Sequence, residues 1–408
     1  MHHGYDPTSH SPEFRWFVGA QTVSMVGNAM TNTALYWLAI HLAHGHAVGL
    51  SFVATAQFLP MLVLGRRAGL LTERHRPSRV LAVTTIAECA GALAIGVPLL
   101  AGWMTIWYLC VLGFGIGCAQ TVGLPAGQMF MLDLVGVREL RRGASVSSMV
   151  TGLAKIAGPG LAGFLIATVG TGPVFLADAG SFAGVVILLL WLSQKITPTT
   201  SPAQARAATA RRFRWILDLP RSIRLAATMA LLIGGFGYQF EITNPLIATR
   251  VFHFSAEAFG LLGTLMAVGG IAGSYYSSRR PNPRRSEFAS WALVFGIAEC
   301  LAAIMPTPWA YETVMVVIGS TITLFAISAT VYIRQTAQPH QLGQALSAYN
   351  AAFIGFVPAG SFVVAAVAAL AGIRWALVGP GLAVTISAAT VLALMRARPQ
   401  TWRPVAGD

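Results

Sequence analysis

Long apolar runs separated by short polar segments dominate this 408-residue chain. A transmembrane helix needs about 20 consecutive, mostly apolar residues. Because twelve runs reach that length, the pattern predicts an all-α integral membrane protein with twelve spans. The predicted spans cover residues 16–43, 48–65, 80–101, 104–131, 144–168, 173–194, 225–249, 257–278, 288–305, 311–333, 344–370 and 375–395.

One connection is much longer than the others and divides the chain near its middle. Residues 195–222 are rich in Pro, Ala, Thr and Arg, a composition that favours a connecting segment over a span. The sequence therefore predicts an N-terminal six-helix bundle at 1–194, a cytoplasmic linker at 195–222 and a C-terminal six-helix bundle at 223–408.

Short matches recur in the two predicted bundles in the same order. The segment Ile86–Cys89 in span 3 has the same four residues as Ile297–Cys300 in span 9, and Thr31–Asn32 in span 1 matches Thr243–Asn244 in span 7. Since each bundle has six helices, both begin on the same side of the membrane. Parallel repeats of this kind are related by an axis along the membrane normal, with substrate held between them near the midplane.

Charged residues are scarce and lie mainly between the apolar runs. They make up 10% of the chain, against 55% hydrophobic residues, whereas soluble domains carry about 25% charged residues. The net charge of +13 comes from arginine-rich loops after even-numbered spans, with Arg250 and Arg374 on the opposite face. The positive-inside rule then predicts that both termini lie in the cytoplasm. The expected location is the bacterial inner membrane, with multiple passes.

Several chemistries are excluded by missing motifs. The chain has no P-loop, no HExxH and no CxxC spacing, and its four cysteines lie in apolar runs. We therefore expect no enzyme activity, no metal and no cofactor other than a proton gradient. The expected partners are a small-molecule substrate and membrane lipid, without nucleic acid, and the expected state is a monomer.

The segment Gly69–Leu81 resembles the signature between helices 2 and 3 of the major facilitator superfamily, with Glu73 in place of its aspartate. Two further segments, Leu124–Val135 and Phe175–Phe182, are similar to the branch that contains enterobactin exporters and related bacterial multidrug efflux proteins. This resemblance implies the major facilitator fold and secondary active export of siderophore-like or drug-like amphipathic molecules, by proton-coupled antiport with alternating access.

The resemblance also implies a set of gating residues. Span 5 is similar to the antiporter signature around Gly158 and Pro159, and the charged residues at the cytoplasmic helix ends would form a clamp that breaks in each cycle. The predicted gating residues are Gly69, Glu73, Arg74, Asp133, Arg142, Gly158 and Pro159. The alternative for the charged members is a purely topogenic role.

Five charged residues lie well inside predicted spans, away from their ends, where charge is costly and commonly functional. Glu241 and Asp178 are the predicted proton-coupling residues, although a Glu241 that is merely wet near the outer mouth is an alternative. Asp178 and Lys155 could instead form a structural ion pair, or Lys155 could neutralise an anionic substrate. Glu88 and Glu299 are repeat mates on helices that the family places at the periphery, which favours a packing or hydrogen-bonding role.

Span 1 carries polar residues at helical spacing along an apolar helix, so this face must point inward. It lines a substrate cavity or forms interhelical hydrogen bonds. The predicted substrate-binding residues are Gln21, Asn28, Asn32, Tyr36, Gln120, Lys155, Tyr238 and Asn244.

The arginine that drug antiporters often carry in helix 4 is absent from Tyr108–Met131. An uncoupled facilitator or an importer of the same superfamily is therefore an alternative, and a non-transporting receptor or scaffold is another.

Overall fold

A computed structural model describes residues 11–135, 140–195, 221–237, 239–280, 286–337 and 342–397, and all regular structure in these ranges is helical. The elements are α1 Pro12–Leu42, α2 Ala47–Arg74, α3 Pro77–Leu100, α4 Ile106–Val135, α5 Leu140–Val169, α6 Thr171–Lys195, α7 Arg221–Leu232, a π-helical segment Ile233–Gly237, α8 Phe240–Arg250, α9 Ala256–Ser278, α10 Glu287–Ile304, α11 Pro308–Thr336, α12 Leu342–Gly355, α13 Val357–Leu370 and α14 Ile373–Ala397.

Eleven stretches of the described chain are long and apolar enough to cross a membrane. Helix α1 has 31 residues but is not among the eleven, because polar residues interrupt its apolar sequence. The all-helical membrane architecture is therefore confirmed, and the twelfth span stays a prediction.

Large apolar side chains cover much of the helix surface. Leu370 is 90% exposed and Val63 is 64% exposed, an arrangement that water would penalise and hydrocarbon does not. Trp103, Trp107 and Trp309 are also exposed close to helix ends, where tryptophan is enriched at membrane interfaces. The surface thus indicates that lipid is the solvent of these helices.

The chain divides into two compact units. Unit 1 comprises Met1–Leu42, Ala56–Thr209 and Ser255–Thr264, and unit 2 comprises Ala43–Thr55, Ala210–Phe254 and Leu265–Asp408. The first turns of α2 therefore belong to unit 2, and the first turns of α9 belong to unit 1. The predicted division at 1–194, 195–222 and 223–408 remains a prediction.

Unit 1 has an apolar core at one end of α1, α3, α4 and α6. Phe17 of α1 and Phe130 of α4 meet edge-to-face with ring centroids 5.1 Å apart, and both side chains are 1% exposed. Leu81 of α3 and Leu189 of α6 belong to the same cluster. This core fixes the positions of four helices that also contribute residues to the site described below.

Unit 2 contains two interrupted spans where the sequence predicts continuous helices at 225–249 and 344–370. The first changes to the π segment after Leu232, and the second breaks at Phe356 between α12 and α13. A methyl group on Gly234 would collide with the carbonyl of Phe353, and one on Gly235 would lie 3.0 Å from Cβ of Phe356. The two interruptions therefore pack against each other at glycines, a contact that periodicity alone does not reveal.

Gln239 bridges the two interruptions. Its side chain is 3% exposed, and its Nε2 donates hydrogen bonds to the carbonyl oxygens of Gly235, at 2.7 Å, and Val357, at 3.4 Å. Broken helices are tolerated at membrane depth only where their freed backbone groups find new partners. Gln239 supplies such a partner to both spans.

Candidate functional site

A cavity of about 690 Å³ lies in unit 1, a volume within the usual range for small-molecule sites, about 300–1,000 Å³. Helices α1, α3, α4, α5 and α6 all contribute to its walls. Its polar lining includes Gln21, Ser24, Asn28, Thr84, Gln120 and Thr151, and its apolar lining includes Phe17, Met25, Met131 and Phe182. The mixture suits a molecule with both apolar and hydrogen-bonding parts.

The predicted polar face of α1 lines this cavity through its N-terminal half. Gln21 and Asn28 stand on the wall with Met25 between them. Gln120 of α4 also lines the cavity, and its Nε2 donates to Oδ1 of Asn28 at 3.2 Å. Three of the predicted substrate-binding residues are thus brought together around one space.

The C-terminal half of the same face is engaged by α2 instead. Nε2 of Gln57 donates to Oδ1 of Asn32 at 3.0 Å, and the hydroxyl of Tyr36 donates to Oε1 of Gln57 at 2.8 Å. Neither Asn32 nor Tyr36 is among the described lining residues. The first half of the polar face therefore lines the cavity, and residues of both halves form interhelical hydrogen bonds.

Glu88 is the one ionisable side chain among the described lining residues of the cavity. The sequence assigns it to a peripheral helix, but Leu81, Thr84, Thr85 and Glu88 lie on one face of α3 by i, i+3, i+4 and i+7 spacing, and all four reach the wall. That spacing was the signal in the sequence that would have placed Glu88 on the cavity.

Asp178 of α6 is buried beside α1. Its Oδ1 accepts a hydrogen bond from the Ser181 hydroxyl at 3.1 Å, and a methyl group on Gly27 would collide with the same oxygen. Its Oδ2 is buried without a hydrogen-bond partner in the described structure. The nearby hydroxyl of Thr31 is also buried without one. Glycine at position 27 thus lets α1 close onto a buried acid.

Glu88 and Asp178 lie close enough to interact electrostatically. If both were ionised, two negative charges would repel each other in a region of low dielectric constant. A proton bound to either carboxyl group would remove this repulsion. Lys155 is not part of this arrangement, because its side chain is exposed and is not among the described lining residues.

Helix α5 packs closely against its neighbours through small residues. A methyl group on Gly158 would collide with Ala29 of α1, and one on Gly163 would lie 2.6 Å from the carbonyl oxygen of Ala256. Pro159 also approaches Gly263, where an added methyl would lie 2.8 Å from its Cβ. The small residues of the antiporter-like segment thus allow close helix approach.

The charged gating candidates are only partly covered by the structure. Gly69, Glu73, Arg74 and Arg142 lie on α2 and α5, but their side chains fall outside the described residues. Asp133 of α4 is 3% exposed. The predicted clamp remains a prediction.

The candidates in unit 2 stand around the interrupted span 7. Tyr238 lies outside the described residues, and Glu241 occupies the first turn of α8 with a partly exposed side chain. Asn244 is 6% exposed, and its Oδ1 accepts from the Tyr311 hydroxyl at 2.8 Å. Glu241 and Asn244 thus both lie on α8, after the interruption of span 7.

Comparison with known proteins shows that the chain is similar to membrane transporters. A family model described as a transmembrane secretion effector matches residues 3–402. The chain is similar to the multidrug efflux pump Tap of Mycolicibacterium fortuitum, with 26% identity over 364 residues that cover 83% of this chain and 86% of that protein. It is also similar to the staphyloferrin A transporter of Staphylococcus aureus, 25% identical over 63% of this chain and 64% of that one.

Solved structures share the fold. A bacterial homologue of the human lysosomal transporter Spinster superposes with a TM-score of 0.76 at 12% identity, covering 97% of this chain and all of that one. The nucleoside transporter NupG superposes with a TM-score of 0.71 at 12% identity, covering 95% of this chain and 100% of that one.

Proposed function

Because this chain belongs to the transmembrane secretion effector family of major facilitator transporters, we propose that it is a secondary active exporter of amphipathic small molecules, driven by proton antiport through alternating access. We place it in the bacterial inner membrane as a monomer, with both termini in the cytoplasm. The arginine-rich predicted loops support that orientation.

The observation that carries the proposal is the cavity in unit 1. A volume of about 690 Å³ with amide, hydroxyl and aromatic groups on its walls is large enough for a drug-sized molecule. A receptor or scaffold has no need for such a space among helices whose outer surfaces face lipid. The cavity therefore favours transport over the non-transporting alternative.

The charge of the lining favours cationic or neutral substrates. Glu88 supplies a carboxyl group, and the described lining contains no arginine or lysine, so a polyanion would lack a counter-ion and would be repelled. Similarity to the multidrug efflux pump Tap supports a drug-like substrate. A siderophore is the second candidate, and similarity to the staphyloferrin A transporter favours it.

Proton coupling would use the acidic pair Glu88 and Asp178. In the substrate-free state the pair holds a proton, and an arriving cation displaces it to the aqueous side that is open at that moment. The return step takes a proton from the opposite side after the cation leaves. Glu241, in the first turn of α8, is a further proton-coupling candidate.

The test is uptake of a lipophilic cation, ethidium, into everted membrane vesicles with an imposed acid-inside pH gradient. We expect gradient-driven uptake by the wild type, loss in Glu88→Gln and Asp178→Asn, and normal uptake in Glu257→Gln, whose side chain is exposed on α9. Uptake that ignores the gradient would show the uncoupled facilitator instead. Transport of a polycarboxylate siderophore that survives Glu88→Gln would favour the second candidate.

A further inference from the structure

We propose that Glu299 is a second proton-binding site, located in unit 2 behind the interruption of span 7 and separate from the cavity of unit 1. A second site of this kind would let the interrupted span change its packing as a proton is gained or lost. Its role in a transport cycle rests on the function proposed above, whereas the binding of the proton does not.

The first observation is a buried carboxyl oxygen without a hydrogen-bond partner in the described structure. Glu299 of α10 is 1% exposed, and its Oε2 has no hydrogen-bond partner within the described residues. A buried polar atom that is left unpaired costs free energy, and an unpaired buried charge costs far more. A bound proton removes the charge, so the geometry suits a carboxyl group that holds one.

The second observation is where this carboxyl points. A methyl group on Gly237 would lie 3.2 Å from Oε2 of Glu299 and 2.9 Å from Cε1 of Phe295. Gly237 is the last residue of the π segment, and π segments in helices occur frequently at functional sites. The carboxyl group of Glu299 therefore lies directly against the π-helical part of span 7.

The third observation is a donor close by that is already in use. The Tyr311 hydroxyl is buried near Glu299 and interacts with it electrostatically, but it donates to Oδ1 of Asn244 on α8 at 2.8 Å. An ionised Glu299 would compete with Asn244 for this hydrogen, because a carboxylate is the stronger acceptor. Loss of the proton would thus act on α8 through one hydroxyl.

Within the described residues, the other titratable groups near Glu299 supply no counter-charge to it. On the same helix, the thiol of Cys300 interacts electrostatically with the Glu299 carboxyl group. The titratable neighbour on α11 is Tyr311. Arg374 of α14 reaches α10 one turn further on, where its Nη1 donates to the carbonyl oxygen of Ala303 at 3.1 Å. The π segment Ile233–Gly237 contains no titratable side chain.

When Glu299 gains its proton, an O–H bond forms at Oε2 while an O–H bond of a hydronium ion breaks and leaves water. The reverse step returns the proton to water as hydronium and leaves a carboxylate. The ionised Glu299 accepts the hydrogen bond from the Tyr311 hydroxyl, which then no longer donates to Oδ1 of Asn244.

Infrared spectroscopy of the full chain in lipid nanodiscs tests this without any substrate. Protonated carboxyl groups give a carbonyl band that disappears on ionisation. We expect a pH titration of the wild type to contain a component that Glu299→Gln removes and Glu287→Gln retains. Glu287 is the matched control because it lies on the same helix and its partner, Nε1 of Trp291 at 3.3 Å, can also bind a glutamine.

Two results would overturn the proposal. One is a titration of Glu299→Gln that superimposes on that of the wild type. The other is a Glu299 band that persists unchanged from acidic to alkaline pH, which would mean a permanently protonated structural residue. Glu299→Asp and Gly237→Ala are the second variants if the glutamine variant does not fold, and each should shift the band rather than remove it. Ethidium transport tests the exporter function separately, so either idea can fail alone.

Discussion

Glu88 and Glu299 occupy equivalent places in a repeated Ile-Ala-Glu-Cys segment, yet one lines a cavity in unit 1 and the other is 1% exposed in unit 2. The helices that carry the neighbouring repeat, Thr-Asn, also differ. In unit 1 this pair lies on the uninterrupted α1, and in unit 2 it lies on α8, just after the interruption of span 7.

The difference shows that a repeated motif fixes the position of a residue but not its surroundings. In unit 1, Glu88 shares the cavity wall with Thr84 and Thr85 of the same helix, so the space beside it stays open. In unit 2, Gly234 and Gly235 let span 7 close against span 11, so polar groups there are buried. The two equivalent glutamates thus face an open cavity in one unit and closely packed helices in the other.

The largest expected effect separates the two glutamates by substrate binding. Glu88→Gln should weaken binding of ethidium to the purified protein by tenfold or more, equivalent to about 1.4 kcal/mol. The reason is that Glu88 is the one carboxyl group among the described lining residues that can balance the positive charge of ethidium. Glu299→Gln should change this affinity by less than twofold. Fluorescence titration in detergent measures both variants, and equal losses would show that the two acids serve one site.

The next effect tests the contact between α1 and the buried Asp178. Gly27→Ala should lower the free energy of unfolding by about 1–3 kcal/mol through overpacking, because the new methyl would collide with Oδ1 of Asp178. The control is Gly19→Ala on the same helix, where nothing lies within 4 Å. Thermal unfolding in detergent compares them, and equal stability of the two variants would contradict the close approach seen here.

A third effect tests whether Gln239 stabilises the interruptions of unit 2. Gln239→Leu should cost about 1–3 kcal/mol, since buried carbonyl groups of Gly235 and Val357 would lose a donor. The control is Gln335→Leu, which replaces an exposed glutamine on α11. If both substitutions leave the unfolding temperature unchanged, the interrupted spans do not depend on this bridge.

The apolar runs predict the helical membrane fold well, because hydrocarbon requires long apolar helices with satisfied backbones. They do not predict the breaks at Ile233–Gly237 and Phe356, which depend on glycine contacts between residues distant in sequence. The polar spacing on α1 identifies Gln21 and Asn28 on the cavity. It cannot show that Asn32 turns to Gln57, since only tertiary packing chooses between a wall and a neighbouring amide.

The smallest expected effect concerns that choice on α1. Tyr36→Phe removes the hydrogen bond to Oε1 of Gln57 at 2.8 Å, and interhelical hydrogen bonds in membranes are worth about 0.6 kcal/mol on average. The lost donor should lower the unfolding temperature slightly and leave ethidium affinity unchanged, since Tyr36 is not among the described lining residues of the cavity. Tyr108→Phe, which removes a hydroxyl from the first turn of α4, serves as the control. A large loss of ethidium affinity in Tyr36→Phe alone would mean that the whole polar face of α1 contacts substrate. The hydrogen bonds of Asn32 and Tyr36 to Gln57 would then belong to only one state of the transporter.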